Sequence, residues 1–575
     1  MKQITGAQLF VKALKEEGVD LLFAYPGGQS IDLFDALYGQ AEIEVILPRH
    51  EQALVHAADG YARSTGRVGV CLVTSGPGAT NLVTGIATAN YDSVPLVCFT
   101  GQVPTHLIGN DAFQEVDIVG ITRSICKHSI TVRDRKDLGR IIKEAFFIAR
   151  TGKPGPVLVD IPKDVQAALG SDEYPAEVNM RSYKPSNGVH AGQLKKAWEL
   201  LKKSKQPVFL LGGGVNIARS NKEMTLLAER TGIPVITTIM GKGAVPTDHP
   251  LYVGNIGIHG SYASNTAIRN CDVLFSIGTR FNDRITGKIS EFAKDATIIH
   301  IDIDTASISR NIVVDVPIVA DAKTAIEKLL ELAEPLAISD WVSEIQGWKR
   351  DYPIHMNNTK GLTPEKIIRK INELFPSSIV VTDVGQNQLW TTQYLELDEH
   401  RQLLTSGGLG TMGYGFPGAM GAKFGNPDKD VICISGDGGM QMNIQEMATA
   451  VVHEMPLILC VLNNGYLGNV RQWQEMFYEK HYSSTCLRFR KRCKSACSNP
   501  NAECPKYTPD FVKLAESYEA AGIRVEREED MEEAFRKAKE NQTGPTLIEF
   551  IIEREANVLP FAPPGKPLEE MILDC

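Results

Sequence analysis

Ten apolar runs of strand length recur along the chain, and each is followed by a turn and then by a helical pattern. Because the runs are apolar throughout rather than alternating, we expect both faces of each strand to be buried, as in a parallel sheet covered by helices. The pattern therefore predicts an α/β fold built from doubly wound parallel sheets. The runs are VGVCLVTSGPG, PLVCFTGQ, GPVLVDIP, PVFLLGGG, DVLFSIGTR, ATIIHIDID, SIVVTDVG, DVICISGDGG, PLILCVLNN and PTLIEFII.

The runs fall into three clusters, which are separated by polar linkers near residues 182–190 and 350–364. A chain of 575 residues is too long for one hydrophobic core, so several domains are expected. We predict an N-terminal domain at 1–183, a central domain at 190–349 and a C-terminal domain at 361–560. The first and third clusters predict two similar open sheets.

Composition excludes several classes of protein. The formal net charge is −9 and the pI is near 5.8, which argues against a nucleic-acid partner. The first 20 residues form an amphipathic helical pattern, and no apolar stretch reaches the roughly 18 residues needed to cross a bilayer. Six of the 11 cysteines lie in or beside apolar runs, which indicates a reducing compartment. We therefore expect a cytoplasmic protein without a membrane span.

Two polar motifs in the third cluster each follow a buried strand. The Gly-Asp-Gly at 436–438 is followed, after 24 residues, by the Asn-Asn at 463–464. Because ligands bind at the carboxyl ends of parallel strands, the Asp437 carboxylate and the Asn464 amide oxygen are expected to converge. Oxygen ligands suit Mg²⁺, and the Tyr466 backbone carbonyl is placed to be the third.

The glycines of the first motif let the backbone approach an anion closely, which suits a diphosphate bridged by the metal. A helix beginning near Asn443 is expected to add amide dipoles to that site. Each motif alone is also an ordinary turn sequence, whereas the pair at this spacing favours the metal and diphosphate interpretation. The glycines are Gly436, Gly438 and Gly439.

This pattern resembles that of thiamine diphosphate enzymes, and the resemblance covers essentially the whole chain. It is strongest to the acetolactate synthase (acetohydroxyacid synthase) family of catalytic large subunits. The supporting stretches are YPGGQS, RHEQ, TSGPGATNL, DAFQE, RFNDRITG, VGQNQLW, SGGLGTMGYGFP and VRQWQEMFY.

The resemblance implies a pyrimidine-binding N-terminal domain, a central FAD-binding-like domain and a C-terminal diphosphate and magnesium domain. It implies thiamine diphosphate, Mg²⁺ and FAD as cofactors, the flavin being structural. The implied reaction decarboxylates pyruvate and condenses the hydroxyethyl intermediate with a second 2-ketoacid, either pyruvate or 2-ketobutyrate. This two-carbon transferase reaction is the first common step of branched-chain amino acid biosynthesis.

Site residues are carried over by matching motifs. Glu51 matches the glutamate that hydrogen-bonds the aminopyrimidine N1' atom and favours the imino tautomer, and Met412 matches the bulky residue beneath the thiazolium. Gln114, Gly28 and Lys163 match the remaining catalytic positions. The other implied cofactor contacts, besides the three glycines of the Gly-Asp-Gly motif, are Pro26, Gly385, Gln386, Asn387 and Gly410.

Substrate and flavin residues follow from the same resemblance. Arg284 matches the arginine that binds the 2-ketoacid carboxylate, and Trp473 and Phe113 match residues of the substrate pocket. The central domain lacks the Gly-x-Gly-x-x-Gly fingerprint, so FAD rests on resemblance alone. The implied FAD residues are His259, Gly278, Arg280, Asp302 and Asp321.

In the family, the glutamate that Glu51 matches and the metal site of one active site belong to different subunits. The resemblance therefore implies a homodimer with active sites at its interface, or a tetramer. Whether a regulatory small subunit also binds is left open. The chain departs from the family at Asn387, where histidine is usual, and around Asn469. These departures leave open a second hypothesis, that the protein is another thiamine diphosphate-dependent 2-ketoacid decarboxylase or carboligase. A non-catalytic homologue is a third hypothesis, against which Glu51, Asp437 and Asn464 speak.

An insertion at 486–507 carries Cys486, Cys493, Cys497 and Cys504 among basic residues. Their spacing matches no common zinc or iron–sulfur pattern. One interpretation is an exposed basic loop with incidental thiols. The other is a metal site or a redox switch that controls the neighbouring active-site segment.

Overall fold

The computed structural model describes residues 3–185, 188–356, 361–493, 497 and 504–574. Within these ranges the chain forms three six-stranded parallel sheets flanked by helices, which confirms the predicted fold class. Among the helices described there, none has both the length and the apolar character needed to cross a bilayer.

The N-terminal domain contains one parallel sheet in the order β3-β2-β4-β5-β7-β6 and a small antiparallel β1–β8 pair. Its strands are β1 (Gln3–Thr5), β2 (Leu21–Ala24), β3 (Glu44–Ile46), β4 (Gly69–Val73), β5 (Leu96–Gln102), β6 (His128–Thr131), β7 (Pro156–Pro162) and β8 (Leu169–Ser171). Its helices are α1 (Gly6–Glu16), α2 (Ile31–Leu37), α3 (Glu51–Thr65), α4 (Pro77–Thr80), α5 (Val83–Asp92), α6 (Ile118–Thr122), α7 (Leu138–Arg150) and α8 (Lys163–Ala167).

The central domain has the strand order β11-β10-β9-β12-β13-β14. Its strands are β9 (Pro207–Leu211), β10 (Val235–Thr237), β11 (Tyr252–Asn255), β12 (Val273–Ile277), β13 (Thr297–Asp302) and β14 (Val316–Val319). Its helices are α9 (Ala191–Lys203), α10 (Gly213–Ile217), α11 (Asn221–Thr231), α12 (Tyr262–Asn270), α13 (Asp283–Thr286), α14 (Ala322–Leu332) and α15 (Ser339–Asp351).

The C-terminal domain has the order β16-β15-β17-β18-β20-β19, which repeats the N-terminal pattern and agrees with the predicted likeness of the two sheets. Its strands are β15 (Ile379–Thr382), β16 (Gln402–Leu404), β17 (Val431–Gly436), β18 (Leu457–Asn463), β19 (Ala521–Val525) and β20 (Thr546–Ile551). Its helices are α16 (Pro364–Leu374), α17 (Gln386–Tyr394), α18 (Gly415–Gly425), α19 (Asp437–Met440), α20 (Met447–Val452), α21 (Gly468–Phe477), α22 (Phe511–Ser517) and α23 (Met531–Glu540).

The apolar runs are strands because both of their faces are covered. In β4, Val70 and Leu72 pack into the core on one side of the sheet, whereas Cys71 and Val73 pack into the core on the other. Alternate residues of a strand point to opposite faces, so a strand between two helical layers needs apolar residues at every position. After β20 the chain returns to the central domain, where the Ala562 N–H donates to the Ile258 carbonyl at 2.7 Å.

Helices α3 and α18 join the N-terminal and C-terminal domains through a close crossing. A β-carbon at Gly60 would lie 2.7 Å from the Gly418 carbonyl carbon, and one at Gly421 would lie 2.6 Å from the Ala57 carbonyl carbon. Backbone atoms occupy both positions, and backbone cannot move aside as a flexible side chain does. The glycines therefore set the distance between the two helices.

Replacing Gly421 with alanine is expected to destabilise the protein by about 3 kcal/mol, because the methyl group overlaps the α3 backbone. The thermal midpoint should fall by roughly 6 to 12 °C. Gly347→Ala is the matched control, since a β-carbon there meets only the Arg350 side chain at 3.8 Å. This control should raise the midpoint by roughly 1 to 3 °C, as alanine favours a helix. Equal effects of both substitutions in a thermal unfolding experiment would contradict the packing argument.

Candidate active site

The predicted diphosphate residues meet where the C-terminal sheet changes its direction of winding, between β15 and β17. The Asn387 Nδ2 atom donates to the Asp383 and Ile434 carbonyls, each at 3.0 Å, and so links the ends of these two strands. A β-carbon at Gly385 would lie 3.2 Å from the Asn387 Oδ1 atom, and one at Gly436 would lie 3.6 Å from it. Because both amide hydrogens are engaged, Asn387 presents its oxygen to these two glycines.

Asp437 is the first residue of α19, directly after β17. The expectation of a helix starting near Asn443 was wrong: the helix starts at Asp437, and Asn443 has a non-helical backbone within the 3-10 segment Gln441–Glu446. The Asp437 carboxylate is buried and accepts a hydrogen bond from the Gly465 N–H at 2.9 Å. Burial, only partly offset by backbone N–H donors, raises the pKa of Asp437 to about 8.

Asn464 directly follows β18, and the N–H of the next residue, Gly465, donates to Asp437, so the structure brings these two predicted metal ligands into one loop region. The Asn464 Oδ1 atom accepts from the Tyr466 N–H at 2.9 Å, and its Nδ2 donates to Gln386 Oε1 at 3.3 Å. Gln386 in turn donates to Gln472 Oε1 at 2.9 Å. Side-chain amides thus link the end of β18 to helices α17 and α21.

Met412 packs beside the same loop. A β-carbon at Gly438 would lie 3.0 Å from Met412 Cε and 2.8 Å from Leu467 Cδ2, so only glycine fits beneath these side chains. Gly410, two residues before Met412, has a φ of 73°, a conformation that glycine adopts without strain. A β-carbon at Gly439 would lie 2.7 Å from the Asp383 carboxyl carbon.

Asp383 and Asp92 bind the loop 408–415, here called the Met412 loop, from two sides. Neither was predicted to be a site residue. The buried Asp383 carboxylate accepts from the Gly413 N–H at 3.1 Å and from the Gly415 N–H at 2.9 Å. Burial, partly offset by these N–H donors, raises its pKa. Asp92 of the N-terminal domain accepts from the Gly408 N–H at 2.7 Å. Asp383 follows β15 as Asp437 follows β17, so its position directly after a buried strand could have identified it from the sequence.

A buried charge network anchors Asp92. Arg63 pairs with Asp92 at 3.0 Å and with Asp59 at 2.5 Å, while the Tyr414 hydroxyl donates to Asp59 at 2.8 Å. Although burial disfavours the charge, the two carboxylates raise the pKa of Arg63. Buried ion pairs of this kind require complete partners, so the network rigidly joins α3 to the Met412 loop.

Glu51 is the first residue of α3, after the N-cap His50. The Asn81 Nδ2 donates to Glu51 Oε2 at 2.9 Å, and a β-carbon at Gly78 would lie 3.5 Å from Glu51 Oε1. Among the residues described, no hydrogen bond or ion pair links Glu51 to Asp437 or Asn464 within one chain.

The other predicted site residues of the N-terminal domain, whether catalytic, cofactor-binding or substrate-binding, are exposed or half-buried. Pro26 and Gly28 are exposed, and a β-carbon at Gly28 would meet nothing within 4 Å. Phe113 is 84% exposed, and the neighbouring Gln114 has a φ of 59°. Lys163 begins α8, and its ammonium pairs with Asp32 at 3.2 Å.

Four of the five predicted flavin residues surround one cavity of about 480 Å³, here called the central cavity. Its walls also include Arg284, which pairs with Asp283 at 3.4 Å, and the unpredicted loop Gly212–Gly214. Burial, only partly offset by nearby donors and cations, raises the pKa of Asp302 to about 6. His259 lines a different cavity. The four flavin residues of the central cavity are Gly278, Arg280, Asp302 and Asp321.

The central cavity lies at the carboxyl ends of the neighbouring strands β9 and β12, where the strand order reverses, which is the ligand position expected for this topology. Trp473 lies apart from it, against Phe477 and Phe561, with ring centroids 6.3 and 6.1 Å away.

The insertion begins on the predicted metal loop. The Leu487 N–H donates to the Gly465 carbonyl and the Leu467 N–H to the Thr485 carbonyl, each at 2.9 Å. Within the described residues no three histidine, cysteine or acidic side chains are grouped to hold a metal. Cys486, Cys493, Cys497 and Cys504 are described, whereas their neighbours at 494–496 and 498–503 are not. Both hypotheses for the four cysteines stay predictions.

Comparisons with known proteins agree with this geometry. Residues 4–121, 194–329 and 383–550 match the N-terminal TPP-binding, central and C-terminal TPP-binding domains of thiamine pyrophosphate enzymes. The acetolactate synthase large subunit of Corynebacterium glutamicum is 45% identical over 98% of this chain and 89% of its own length. A probable acetolactate synthase large subunit of Methanocaldococcus jannaschii is 45% identical, covering 99% of this chain and 95% of its own.

The acetolactate synthase isozyme 3 large subunit of Escherichia coli strain K12 is 41% identical over 100% of this chain and 99% of its own length. Identity at this level along the whole chain, together with the three domain matches, shows that the protein belongs to the acetolactate synthase large-subunit family of thiamine pyrophosphate enzymes.

Proposed function

We propose that the protein is the catalytic subunit of an acetolactate synthase. It decarboxylates pyruvate with thiamine diphosphate and joins the two-carbon unit to a second 2-ketoacid, pyruvate or 2-ketobutyrate, in branched-chain amino acid biosynthesis. One observation carries this proposal above the others: Asp437 and Asn464 follow the neighbouring strands β17 and β18, where the Gly465 N–H next to Asn464 donates to Asp437, while Glu51 begins a helix in the other TPP-binding domain.

The residues of the C-terminal site fit Mg²⁺ and a diphosphate. Burial, only partly offset by backbone N–H donors, raises the pKa of the Asp437 carboxyl to about 8, so the site favours a cation that would keep this group ionised. Asn464 would supply a neutral oxygen and the Tyr466 backbone carbonyl a third, which is the oxygen chemistry that Mg²⁺ prefers. Gly436 and Gly438 leave room for phosphate oxygens beside these ligands.

Thiamine diphosphate supplies the electron sink for decarboxylation when it is bound. The chain supplies binding, orientation and proton control. The Glu51 carboxylate is oriented by Asn81 and would hold a proton at its Oε atoms against a ring nitrogen. Met412, held by the Asp383 and Asp92 loop contacts, would support the ring from below. Arg284 would bind the substrate carboxylate, and Trp473 would shape the acceptor pocket.

FAD fits the central cavity. Close backbone approach at Gly212 and Gly278 suits a pyrophosphate, since a β-carbon at Gly212 would lie 2.7 Å from the Gly278 carbonyl carbon. Arg280 adds a cation, and Asp302 and Asp321 add acceptors for ribose hydroxyls. The flavin would hold the domains together, since Arg280 also approaches the Met412 loop: a β-carbon at Gly408 would lie 2.9 Å from Arg280 Nη2.

A homodimer with shared active sites, or a tetramer of such dimers, is supported by apolar side chains left exposed beside the site. Phe113 is 84% exposed and Met442 51% exposed. Large exposed apolar groups of this kind mark interfaces. A cytoplasmic location and a regulatory small subunit remain parts of the proposal that composition and family resemblance support.

The activity should require pyruvate, thiamine diphosphate and Mg²⁺. With pyruvate, thiamine diphosphate and Mg²⁺ we expect acetolactate, and adding 2-ketobutyrate should yield acetohydroxybutyrate; omitting either cofactor after dialysis should abolish both. Products would be identified by mass spectrometry. Acetaldehyde without acetolactate would favour a decarboxylase instead, and no turnover with bound cofactor would favour the non-catalytic homologue.

A further inference from the structure

A second cavity, of about 330 Å³, lies between the central and C-terminal domains and shares no lining residue with the central cavity. We call it the Lys242 cavity. One wall is formed by Lys242, Tyr252, Lys349 and Tyr352 of the central domain. The opposite wall is the segment 392–396 at the end of α17. Its volume is within the usual range for small-molecule sites.

Two lysines bring unpaired positive charge to this cavity. The Lys242 side chain is buried, and its Nζ atom donates to the Thr392 carbonyl at 2.6 Å. The Lys349 Nζ atom donates to the Tyr252 carbonyl, also at 2.6 Å. An ammonium group has three hydrogens, and among the described residues neither lysine forms an ion pair with a carboxylate. Each therefore keeps donor capacity for an anion.

Burial acts on the charge of both lysines in a way that favours binding of an anion. Burial, partly offset by the exposed Glu396, lowers the pKa of Lys242 to about 7, and burial also lowers the pKa of Lys349. A buried cation without a counter-ion is unfavourable, whereas a bound carboxylate would restore its charge.

The same cavity holds two acceptors that lack donors. The Gln393 side chain donates through Nε2 to the Leu559 carbonyl at 3.0 Å, and its buried Oε1 atom has no partner among the described residues. His259 is hydrogen-bonded to the Pro560 backbone, and burial lowers its pKa to about 3, so its ring is neutral. The His259 Nδ1 atom is buried and likewise without a described partner. A ligand for this cavity must therefore bring a hydrogen-bond donor as well as negative charge.

We propose that the Lys242 cavity binds a small hydroxy dicarboxylate. Its two carboxylates would accept from Lys242 and Lys349, its hydroxyl would donate to Gln393 Oε1 or His259 Nδ1, and its carbon chain would lie against Tyr352. The Tyr352 ring is fixed there by the Tyr262 ring, whose centroid is 4.0 Å away. The proposal is independent of the activity proposed above, because no lining residue of this cavity except His259 belongs to the predicted cofactor and substrate residues.

Malate and succinate form the decisive pair of probes, because they carry the same two carboxylates and only malate has the hydroxyl. Isothermal titration of the full-length protein, without thiamine diphosphate or substrate, should show one malate site. Succinate should bind about tenfold more weakly, since it has no hydroxyl to donate to Gln393 Oε1 or His259 Nδ1. Equal affinity for the two acids, or no malate binding at millimolar concentration, would overturn the proposal.

Variants locate the binding. Lys242→Met and Lys349→Met should each weaken malate binding at least about tenfold, since each removes one charge-assisted contact. Lys203→Met, an exposed lysine of the same domain, should leave the affinity unchanged. Circular dichroism would verify folding. If Lys242→Met does not fold, the partly buried Lys349 decides the question. Malate affinity that is unchanged by the lysine substitutions would place the acid elsewhere and refute the assignment.

Discussion

Replacing Glu51 with glutamine is expected to lower kcat by about 10² to 10⁴-fold while the fold and cofactor binding persist. Glutamine has nearly the same shape, and its amide oxygen can still accept the hydrogen bond that Asn81 donates to Glu51 at 2.9 Å. What it loses is the negative charge and the ability to exchange a proton with a ring nitrogen. Steady-state kinetics with pyruvate at saturating thiamine diphosphate and Mg²⁺ measures the effect.

Two controls separate chemistry from folding in that experiment. Glu177→Gln changes an exposed glutamate of the same domain and should leave kcat unchanged. The thermal midpoint of Glu51→Gln should stay within about 2 °C of the parent, since a polar substitution near a helix start changes stability little. Turnover retained at the parental level would show that Glu51 is not the proton-holding group.

The strands with distinct apolar runs were predictable from the sequence, whereas several short or partly buried strands were not. All ten apolar runs are strands, because strands covered on both faces need apolar residues at every position. The missed strands include β3 and β19, whose burial is partial, and the short β2, whose four buried residues are too few to form a distinct run. Strand order was also beyond local reasoning, because it depends on long-range pairing.

The proximity of Asp437 and Asn464, the two predicted metal ligands, was predictable because each follows a central strand, and β17 and β18 are neighbours. The contacts that hold the neighbouring Met412 loop were not predictable. Asp92 reaches the Met412 loop from another domain, a contact between residues more than 300 positions apart. No periodicity or motif spacing encodes such a contact.

The central domain shows a second limit of motif reasoning. Its loop Gly212–Gly214 lacks the Gly-x-Gly-x-x-Gly spacing, so a nucleotide site was inferred from resemblance alone. The strand order β11-β10-β9-β12-β13-β14 nevertheless reverses between β9 and β12, and the central cavity lies at this switch point. The position of the central cavity therefore follows from the strand order. The Gly-x-Gly-x-x-Gly spacing is only one of the sequences that can form the loop beside such a cavity. His259, assigned to the flavin with the others, lines the Lys242 cavity instead.

Replacing Asp437 with asparagine should weaken the apparent affinity for Mg²⁺ on the order of 10²-fold or more, and thiamine diphosphate-dependent activity should fall with it. The asparagine keeps one oxygen that can accept from the Gly465 N–H, so the loop should hold its conformation. It cannot supply the negative charge. Asp428→Asn, which changes an exposed aspartate of the same domain, is the matched control and should bind Mg²⁺ as the parent does.

The pH dependence of metal binding distinguishes a lost ligand from a distorted loop. Burial raises the pKa of Asp437 to about 8 in the metal-free protein, so below that pH the carboxyl holds a proton that Mg²⁺ must displace. Apparent affinity of the parent should therefore rise by up to about tenfold per pH unit between pH 6 and 8 and then level off. Asp437→Asn has no such proton, and its weak binding should stay flat over the same range. A parental slope retained in this variant would show that another group titrates with the metal, and Asp437 would then not be the charged ligand.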